Sequence, residues 1–254
     1  MKSYVADFET TTDEDNCYVW AYAICEVGNP ENITIGTSIE DFMEWCKKAG
    51  NDRVYFHNLK FDGIFIIDWL FKHGFTHVEN PSDKKTNTFT TLISDKGMYY
   101  SIEVMFEVKG KKVNKITFQD SLKLIPLSVD AIAKSFKLPM QKLTLDYGCH
   151  NGLPAGTPLT EHEQEYIKHD VQIVAHAVQY FHSQGLDKMT IGACALEEYK
   201  RLVDKKNFTR WFPTPKYDSD VRQSYRGGFT YLNPKFAGKI LKNGITLDVN
   251  SLYP

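Results

Sequence analysis

The sequence predicts an α/β protein with a central mixed sheet flanked by helices. Short apolar runs rich in β-branched and aromatic residues alternate with segments of helical periodicity along the chain. The 254 residues are 42% hydrophobic and 13% aromatic, which is typical of a globular protein. This length suits one large domain with an appendage, and it is enough to bury a substantial core.

The first 120 residues alternate strands with two helices. The apolar run Tyr4-Val5-Ala6 indicates a short buried strand that leads into Asp7. The segment 53–57 predicts a second strand, which Asn58 would end. Helices are predicted from Ser38 to about residue 48 and over 61–71 by their apolar spacing. Further strands are predicted over 18–26, 33–36, 88–94, 98–108 and 113–118.

The strongest helix signal in the chain follows Thr160. Thr160 and Glu163 have the spacing of a capping box, and Gly185 is a plausible C-terminal stop. Shorter helices are predicted over 128–136 and 189–205, with a Gly/Pro loop over 151–158. A domain boundary near 185–188 divides the chain into 1–187 and 188–254.

Three short motifs contain the candidate chemistry. Asp7 and Glu9 are two apart on a predicted strand, so they share a face and can bind cations from one side. Asp62 lies near the start of a predicted helix. Tyr166 and Asp170 are four apart on the strongest helix, so they also share a face.

The residue types point to hydrolysis of phosphodiester bonds. Mg²⁺ and Mn²⁺ are hard cations that prefer carboxylate oxygens. Two such ions about 4 Å apart activate water and stabilise the leaving oxygen, and they need several negative ligands. A tyrosine hydroxyl can orient the attacking water without competing for metal. Each motif alone fits a solvated edge or a helix cap, but the ordered combination favours a two-metal nuclease site.

These motifs resemble the three exonuclease motifs of proofreading 3′–5′ exonucleases. Tyr225-Arg226-Gly227-Gly228 resembles the Tyr-x-Gly-Gly element that joins exonuclease and polymerase domains. Residues 248–254, Asp-Val-Asn-Ser-Leu-Tyr-Pro, resemble polymerase motif A of family B. The whole chain is similar to the N-terminal part of a protein-primed family B DNA polymerase. The resemblance implies a ribonuclease H-like exonuclease fold over 1–187. It implies a linker and the start of a polymerase palm over 188–254.

The resemblance also implies roles for individual residues. Asp7, Glu9, Asp62 and Asp170 match the ligands of two Mg²⁺ or Mn²⁺ ions. Tyr166 matches the residue that orients water, and Lys142 matches a lysine that contacts the phosphate. Aromatic and polar side chains suit base stacking and backbone hydrogen bonds. Those that match positions contacting the single-stranded 3′ end are Thr10, Tyr55, His57, Asn58, Phe61, Phe65, Ser121 and Leu122.

Some of these assignments have an equally simple structural explanation. Phe61 and Phe65 fit ordinary helix core as well as base stacking. One of the neighbours Tyr55 and Phe56 must face inward.

The predicted contacts to primer-template DNA are a separate set of residues: Tyr225, Arg226, Gly227 and Gly228.

The implied function is a 3′–5′ proofreading exonuclease of a phage or mobile-element DNA polymerase. Its expected partners are single-stranded DNA 3′ ends and primer-template DNA, with a terminal priming protein as a further candidate. The expected location is the cytoplasm, which for a virus means that of the host. Two alternatives stay open: an RNA-processing exonuclease of the same metal-ligand class, and a non-catalytic module that binds single strands or the priming protein.

Asp248 matches a metal ligand of the polymerase site, after the strand-like run 245–247. The later Asp-Thr-Asp-type motif and the nucleotide-binding Lys-x-x-x-Asn-Ser-x-Tyr-Gly motif are not found within the 254 residues. We therefore expect these residues by themselves to degrade DNA without extending a primer.

Charge and cysteine content narrow the functional class. The net charge of −2 is not the strongly basic balance of a non-specific DNA binder. The basic cluster 109–112 is interpreted as a hairpin tip rather than a DNA contact. Arg222 and Arg226 are better placed to hold phosphates. The five cysteines show no C-x-x-C pairing, which predicts reduced thiols of a cytosolic protein rather than a zinc site or disulfides.

Two further classes are not supported by the sequence. No stretch approaches the ~18 apolar residues of a membrane span, and no signal peptide is apparent.

His162, His169 and His176 recur every seven residues on the strongest helix. That spacing separates them by about 10 Å along the axis, too far to share one metal ion, and predicts a solvated helix surface.

Overall fold

The computed structural model describes residues 1–13, 15–110, 112–224, 231–240, 242, 244 and 245. Five predicted site residues lie outside this part of the chain: Tyr225, Arg226, Gly227, Gly228 and Asp248. The chain divides into two compact units, Met1–Leu202 and Val203–Pro254. The functional boundary expected after residue 187 stays a prediction.

The first unit is organised around a mixed sheet, to which the described residues contribute eight strands. The strands are β1 (Ser3–Thr10), β2 (Val19–Glu26), β3 (Asn29–Gly36), β4 (Asp52–Phe56), β5 (Thr76–His77), β6 (Thr88–Ile93), β7 (Tyr99–Lys109) and β8 (Lys112–Asp120). Their order is β3-β2-β1-β4-β8-β7-β6-β5. β4 pairs in parallel with both β1 and β8, β5 pairs in parallel with β6, and the other pairs are antiparallel. The predicted mixed α/β class is confirmed.

The helices of the first unit lie near their predicted positions. The helical region after residue 188 is divided differently from the prediction. They are α1 (Ile39–Ala49), α2 (Leu59–Lys72), α3 (Val129–Ser135), α4 (Glu161–Ser183), α5 (Ile191–Leu202), α6 (Lys205–Trp211) and α7 (Asp218–Ser224). The helix predicted over 189–205 is present as α5 but ends at Leu202, and a separate helix begins at Lys205. Asp204 has φ +63° and accepts a hydrogen bond from the Lys206 amide, so it ends the first helical path and caps α6. None of the described helices combines the length and hydropathy of a membrane span.

Alternation along β1 divides its side chains between two hydrophobic cores. Ala6 and Phe8 pack with α1 and α2 on one face of the sheet. Val5 belongs to the core on the opposite face, which is built largely from α3 and α4. Because residues two apart share a face, Asp7 and Glu9 lie on the α4 side with Val5. The hydrophobic pattern of the strand therefore aims both carboxyl groups at α4.

The ends of α4 are fixed by the predicted signals. The Thr160 hydroxyl accepts from the Glu163 amide, and a Glu163 carboxylate oxygen accepts from the Thr160 amide at 2.7 Å. This confirms the capping box. After Ser183 the chain turns through Gly185 at φ +75°, and the Leu186 amide donates to the Phe181 carbonyl at 2.9 Å. The helix is thus a firmly bounded platform against the sheet.

We expect Thr160→Ala to lower the free energy of unfolding by about 1 kcal/mol, because it removes the side chain of the N-cap. Urea unfolding followed by circular dichroism measures this change. Glu165→Ala is the control, since Glu165 lies exposed on the same helix, and should change stability by less than about 0.5 kcal/mol. Equal losses in the two variants would contradict a stabilising cap.

Candidate active site

Three of the predicted carboxyl groups meet between β1 and α4. Carboxylate oxygens of Asp7, Glu9 and Asp170 all lie within 4.8 Å of one another. Asp170 comes from the middle of α4, and its buried position follows from the apolar stripe that packs that helix on the sheet. The two-residue spacing on β1 and the apolar stripe of α4 together bring the three carboxyl groups to one place.

Asp62 approaches the same cavity from the first turn of α2. Its Oδ1 atom is buried without a hydrogen-bond partner among the described residues, and so is Oδ1 of Asp170. An unpaired buried carboxylate oxygen is costly unless a cation binds it. All four acids line one cavity of about 370 Å³. Hard oxygen donors with unused lone pairs are the donor set that Mg²⁺ or Mn²⁺ prefers, so the residues present fit such ions.

The electrostatics of the cavity oppose simultaneous ionisation of these acids. Burial and the neighbouring Asp170 raise the pKa of Asp7 to about 7. Burial and Asp7 raise the pKa of Glu9 to about 9. Burial likewise raises the pKa of Asp62 and of Asp170. The site therefore needs added positive charge before all four carboxyl groups can be negative together.

Lys142 supplies the positive charge that the chain itself contributes. It is the one lysine or arginine among the described residues that line the cavity. Its ammonium group pairs with Asp170 and lies 5.1 Å from the ring centroid of Tyr166. Burial opposes the charged form of Lys142, but Asp170 outweighs burial and raises the pKa of the ammonium group. The structure thus places Lys142 against a predicted metal ligand as well as in the cavity.

Two histidines of α4 hold the segment that carries Lys142. His169 Nδ1 bonds the Gln141 carbonyl at 2.8 Å, and His162 Nε2 bonds the Thr144 carbonyl at 2.9 Å. His162 is exposed, as predicted for a solvated helix surface, whereas His169 is partly buried. One ring nitrogen of each histidine donates to a backbone carbonyl, so these two side chains bind the segment 141–144 to α4.

Tyr166 is buried beside the acids, and a second phenol lies next to it. The hydroxyl groups of Tyr147 and Tyr166 are 3.4 Å apart. Tyr147 is 56% exposed and lines the cavity. Sequence reasoning missed Tyr147, because no periodicity or capping signal marks a loop residue that turns toward a helix. The pair places two hydroxyl groups beside the carboxylate cluster.

The predicted strand-binding residues divide into those at the cavity and those beneath it. Thr10, His57, Asn58 and Phe61 line the cavity, and the Phe61 ring is 50% exposed. Phe65 is partly buried against the core of α1 and α2 and does not line this cavity. The core explanation therefore holds for Phe65, whereas base stacking by Phe61 stays a prediction.

Tyr55 and Ser121 are both buried. The Tyr55 ring is fully buried, and its hydroxyl bonds Arg53 at 3.0 Å and His182 at 3.1 Å. Phe56 is also fully buried, in the core on the opposite face of the sheet, so both members of the Tyr55-Phe56 pair face inward. Contact between Tyr55 and DNA stays a prediction. The Ser121 hydroxyl, also buried, lies 3.0 Å from His57 Nδ1 and 3.1 Å from the Phe56 carbonyl. Its contact is therefore to His57.

A second residue missed by sequence reasoning organises this rim. Asp120 is buried, and its Oδ1 accepts from the amides of Asn58 at 3.1 Å and Leu122 at 3.0 Å. Asn58 has φ +87°, a conformation that asparagine tolerates better than most residues. Leu122 is thereby held by its backbone, with its side chain partly buried. An acid at the end of a strand, before Ser121, is the cue that could have indicated this turn.

The sequence of the whole chain is similar to those of known DNA polymerases. A family model described as DNA polymerase type B, organellar and viral, matches residues 45–157 and 154–254. The DNA polymerase of Bacillus phage M2 is 44% identical over 255 residues, which cover all of this chain and 44% of that polymerase. The chain therefore spans less than half the length of this relative.

Solved structures show the same similarity in three dimensions. Phi29 DNA polymerase complexed with single-stranded DNA matches with a TM-score of 0.81 and 42% identity. The match covers 94% of this chain and 42% of that one. The complex of the same polymerase with primer-template DNA and incoming nucleotides matches with a TM-score of 0.82 and 42% identity, over 92% of this chain and 41% of the other.

The raised pKa values predict how the stability of the metal-free protein depends on pH. A folded-state pKa above the unfolded value means that stability is complete below about pH 4 and is lost as pH rises through the folded pKa. For Asp7 and Glu9 that loss extends through pH 7 and pH 9. In EDTA, the free energy of unfolding should fall by on the order of 3 kcal/mol between pH 6 and pH 9. Urea denaturation at both values measures it.

Glu9→Gln tests the origin of this dependence. The variant cannot ionise at that position, so it should be more stable than the wild type at pH 9 and show a smaller difference between the two pH values. Mg²⁺ should stabilise the wild type more at pH 9 than at pH 6. A wild-type protein equally stable at both pH values would show that the pKa values of the buried acids are not raised as described.

Proposed function

This chain belongs to the type B DNA polymerases of organelles and viruses, and on that premise we propose that it contains a 3′–5′ proofreading exonuclease. The proposed substrate is the single-stranded 3′ end of DNA, in a protein-primed polymerase of a phage or mobile element. The observation that carries the proposal is the convergence of Asp7, Glu9 and Asp170 oxygens within 4.8 Å, with Tyr166 one helical turn from Asp170.

Asp7, Glu9, Asp62 and Asp170 are the residues that would hold two divalent ions, Mg²⁺ or Mn²⁺. Such ions supply Lewis-acid activation of water and neutralise charge on the leaving oxygen. The protein's own contribution is to fix the four carboxyl groups on three rigid elements, so that little reorganisation is needed when substrate arrives.

The phenols and the lysine supply the polar groups around the scissile phosphate. The Tyr166 hydroxyl would orient the attacking water, and the neighbouring Tyr147 hydroxyl would support it. Lys142 compensates the charge of Asp170, and its location in the cavity also suits contact with a phosphate oxygen. Both functions need a fixed ammonium group, which the tether of the segment 141–144 to α4 provides.

The rim of the cavity suits a single strand rather than a duplex base pair. The exposed Phe61 ring offers a stacking surface, and Thr10 and Asn58 offer hydrogen-bonding groups. Burial lowers the pKa of His57, so the ring is neutral near pH 7; its Nε2–H donates to the Leu127 carbonyl at 2.7 Å. These residues form a largely uncharged path toward the carboxylates, which fits an unpaired 3′ end.

We further propose the remaining partners from the family relationship. Primer-template DNA and a terminal priming protein are the expected partners of the whole polymerase, in the cytoplasm of a host cell. Tyr225 to Gly228 are proposed to contact the template-bound duplex. Asp248 is proposed as a metal ligand of the polymerase site. Both lie outside the described residues.

The first test is degradation of a labelled single strand by the purified 254-residue chain with Mg²⁺. A 5′-labelled oligonucleotide should shorten stepwise from its 3′ end. Asp7→Ala with Glu9→Ala should reduce the rate at least about 100-fold, because loss of metal-ligand charge removes several kcal/mol of transition-state stabilisation.

Asp68→Ala is the matched control for Asp62→Ala, since Asp68 is an exposed acid on the same helix. Only Asp62→Ala should lose activity. An RNA strand of the same sequence separates the alternative RNA-processing role, and faster cleavage of RNA would favour it. Unchanged cleavage in the Asp7→Ala/Glu9→Ala variant would sink the assignment of the site.

A separate prediction concerns Tyr166. Tyr166→Phe removes only the hydroxyl, so single-strand binding should persist while the single-turnover rate falls about 10- to 100-fold, the value of one well-placed hydrogen bond. Tyr180→Phe is the control, because Tyr180 is exposed on the same helix. Binding by fluorescence anisotropy and rate by rapid quench separate the two effects. A fall in affinity with an unchanged bound-state rate would make Tyr166 a substrate anchor instead.

A further inference from the structure

A second cluster of metal-binding side chains lies beside the carboxylate site. Ligand atoms of Cys149, His150 and Glu163 all lie within 4.8 Å of one another. Glu163 Oε1 is 3.1 Å from His150 Nε2 and 3.5 Å from Cys149 Sγ. The proposed nuclease mechanism uses none of the three.

These distances match the spacing of ligands around a tetrahedral zinc ion. Zinc bonds of 2.0–2.3 Å to nitrogen, oxygen and sulfur put neighbouring ligand atoms about 3.3–3.8 Å apart. The two measured separations from Glu163 Oε1 are already close to that range. A zinc ion could therefore be bound with small movements of three side chains.

Two of the ligands are held in place by other contacts. The His150 ring is 2% exposed and stacks on Trp20 with the centroids 3.9 Å apart and the planes within 3°. The other oxygen of Glu163 accepts the capping bond from the Thr160 amide. The stack fixes the plane of the His150 ring, and the capping bond orients the carboxylate as outer-shell hydrogen bonds do in known metal sites. His150 Nδ1 is buried without a hydrogen-bond partner among the described residues. Glu163 Oε1 is left pointing at His150 and Cys149.

The donor set selects against the ions expected at the carboxylate site. A thiolate and an imidazole with one carboxylate suit Zn²⁺, whereas Mg²⁺ requires oxygen donors. We propose that Cys149, His150 and Glu163 bind one Zn²⁺ ion, with water as the fourth ligand. On binding, the Cys149 thiol releases its proton to solvent. His150 binds through Nε2 as a neutral imidazole, with its proton on Nδ1.

Burial and the hydrogen bond to Glu163 raise the pKa of the Cys149 thiol to about 11. Without metal, Cys149 is therefore a protonated thiol near pH 7. This proposal replaces the sequence-based expectation that no cysteine binds zinc. Cys149 and His150 are adjacent, and Glu163 lies on the next element, so no familiar ligand spacing identified them.

The position of the zinc site gives it a structural consequence. Tyr147 precedes Cys149 by two residues, and Tyr166 follows Glu163 by about one helical turn. Metal bonds from the loop to α4 would fix the approach of the two hydroxyl groups, now 3.4 Å apart. This consequence rests on the proposed exonuclease function, whereas zinc binding itself does not.

The test measures metal content and is independent of nuclease activity. Tag-free 254-residue protein is stripped with EDTA, loaded with Zn²⁺ in excess Mg²⁺, desalted and analysed by plasma mass spectrometry. We expect about one Zn²⁺ per chain, falling below about 0.2 in Cys149→Ser and in His150→Gln. Co²⁺ loading should give the thiolate-to-cobalt absorption band in the wild type. Less than about 0.2 equivalents of Zn²⁺ in the wild type, or Co²⁺ binding without that band, would overturn the proposal.

Controls separate this site from the others. Cys17→Ser changes an exposed thiol that is not in the cluster and should retain the zinc. The double variant Asp7→Asn/Asp170→Asn should retain it as well, because the carboxylate cavity is not the binding site. Loss of zinc in that double variant, with retention in Cys149→Ser, would place the ion among the carboxylates and refute the assignment. These outcomes are read even if the protein degrades no DNA.

Discussion

The packing of four acidic residues around one small cavity, three of them buried and Asp7 half-buried, is the constraint on which the rest of the structure depends. Each is taken out of water by packing that the hydrophobic cores require, and one lysine offsets only part of their charge. In its ionised form such a cluster opposes folding unless cations bind it. The elements that hold it are a central strand, the first turn of α2 and the capped helix α4.

The same sheet serves as a divider between two kinds of packing. On the α1 and α2 face, Phe8, Phe42 and Phe56 make edge-to-face contacts at 4.9–5.9 Å between centroids. On the α4 face, smaller residues such as Ala21 and Ala23 leave room for the carboxyl groups. The polar network around Asp120 lies where β4 and β8 end, so that the parallel pair delivers Asn58 and Ser121 to one rim. The ends of three neighbouring strands thus carry Asp7, Glu9, Asn58 and Ser121, and α4 adds Tyr166 and Asp170.

Local patterns in the sequence were sufficient for the parts of the fold that depend on neighbouring residues. The alternation around Asp7 and Glu9, the four-residue spacing of Tyr166 and Asp170, and the Thr160 capping box each specify a local geometry that tertiary packing keeps. They were not sufficient where a long-range contact or an unusual backbone conformation decides. Tyr55 faces His182, 127 residues later, rather than solvent. Tyr147 and Asp120 act through contacts with Tyr166 and Asn58, which no local pattern encodes. Asp204 interrupts a continuous helical pattern through its own backbone conformation.

The distance along the chain between β1 and α4 has a consequence for synthesis. About 160 residues separate Glu9 from Asp170, so at 5–20 residues per second β1 waits roughly 8–30 s on the ribosome for its covering helix. During that interval the α4 face of β1 and β2 is an uncovered apolar surface that includes Val5, Ala21 and Ala23. Asp7 and Glu9 are then in water and ionised, and charges within an apolar strand discourage pairing with other nascent chains. The acids that oppose folding once they are buried are therefore expected to oppose aggregation while the chain is being synthesised.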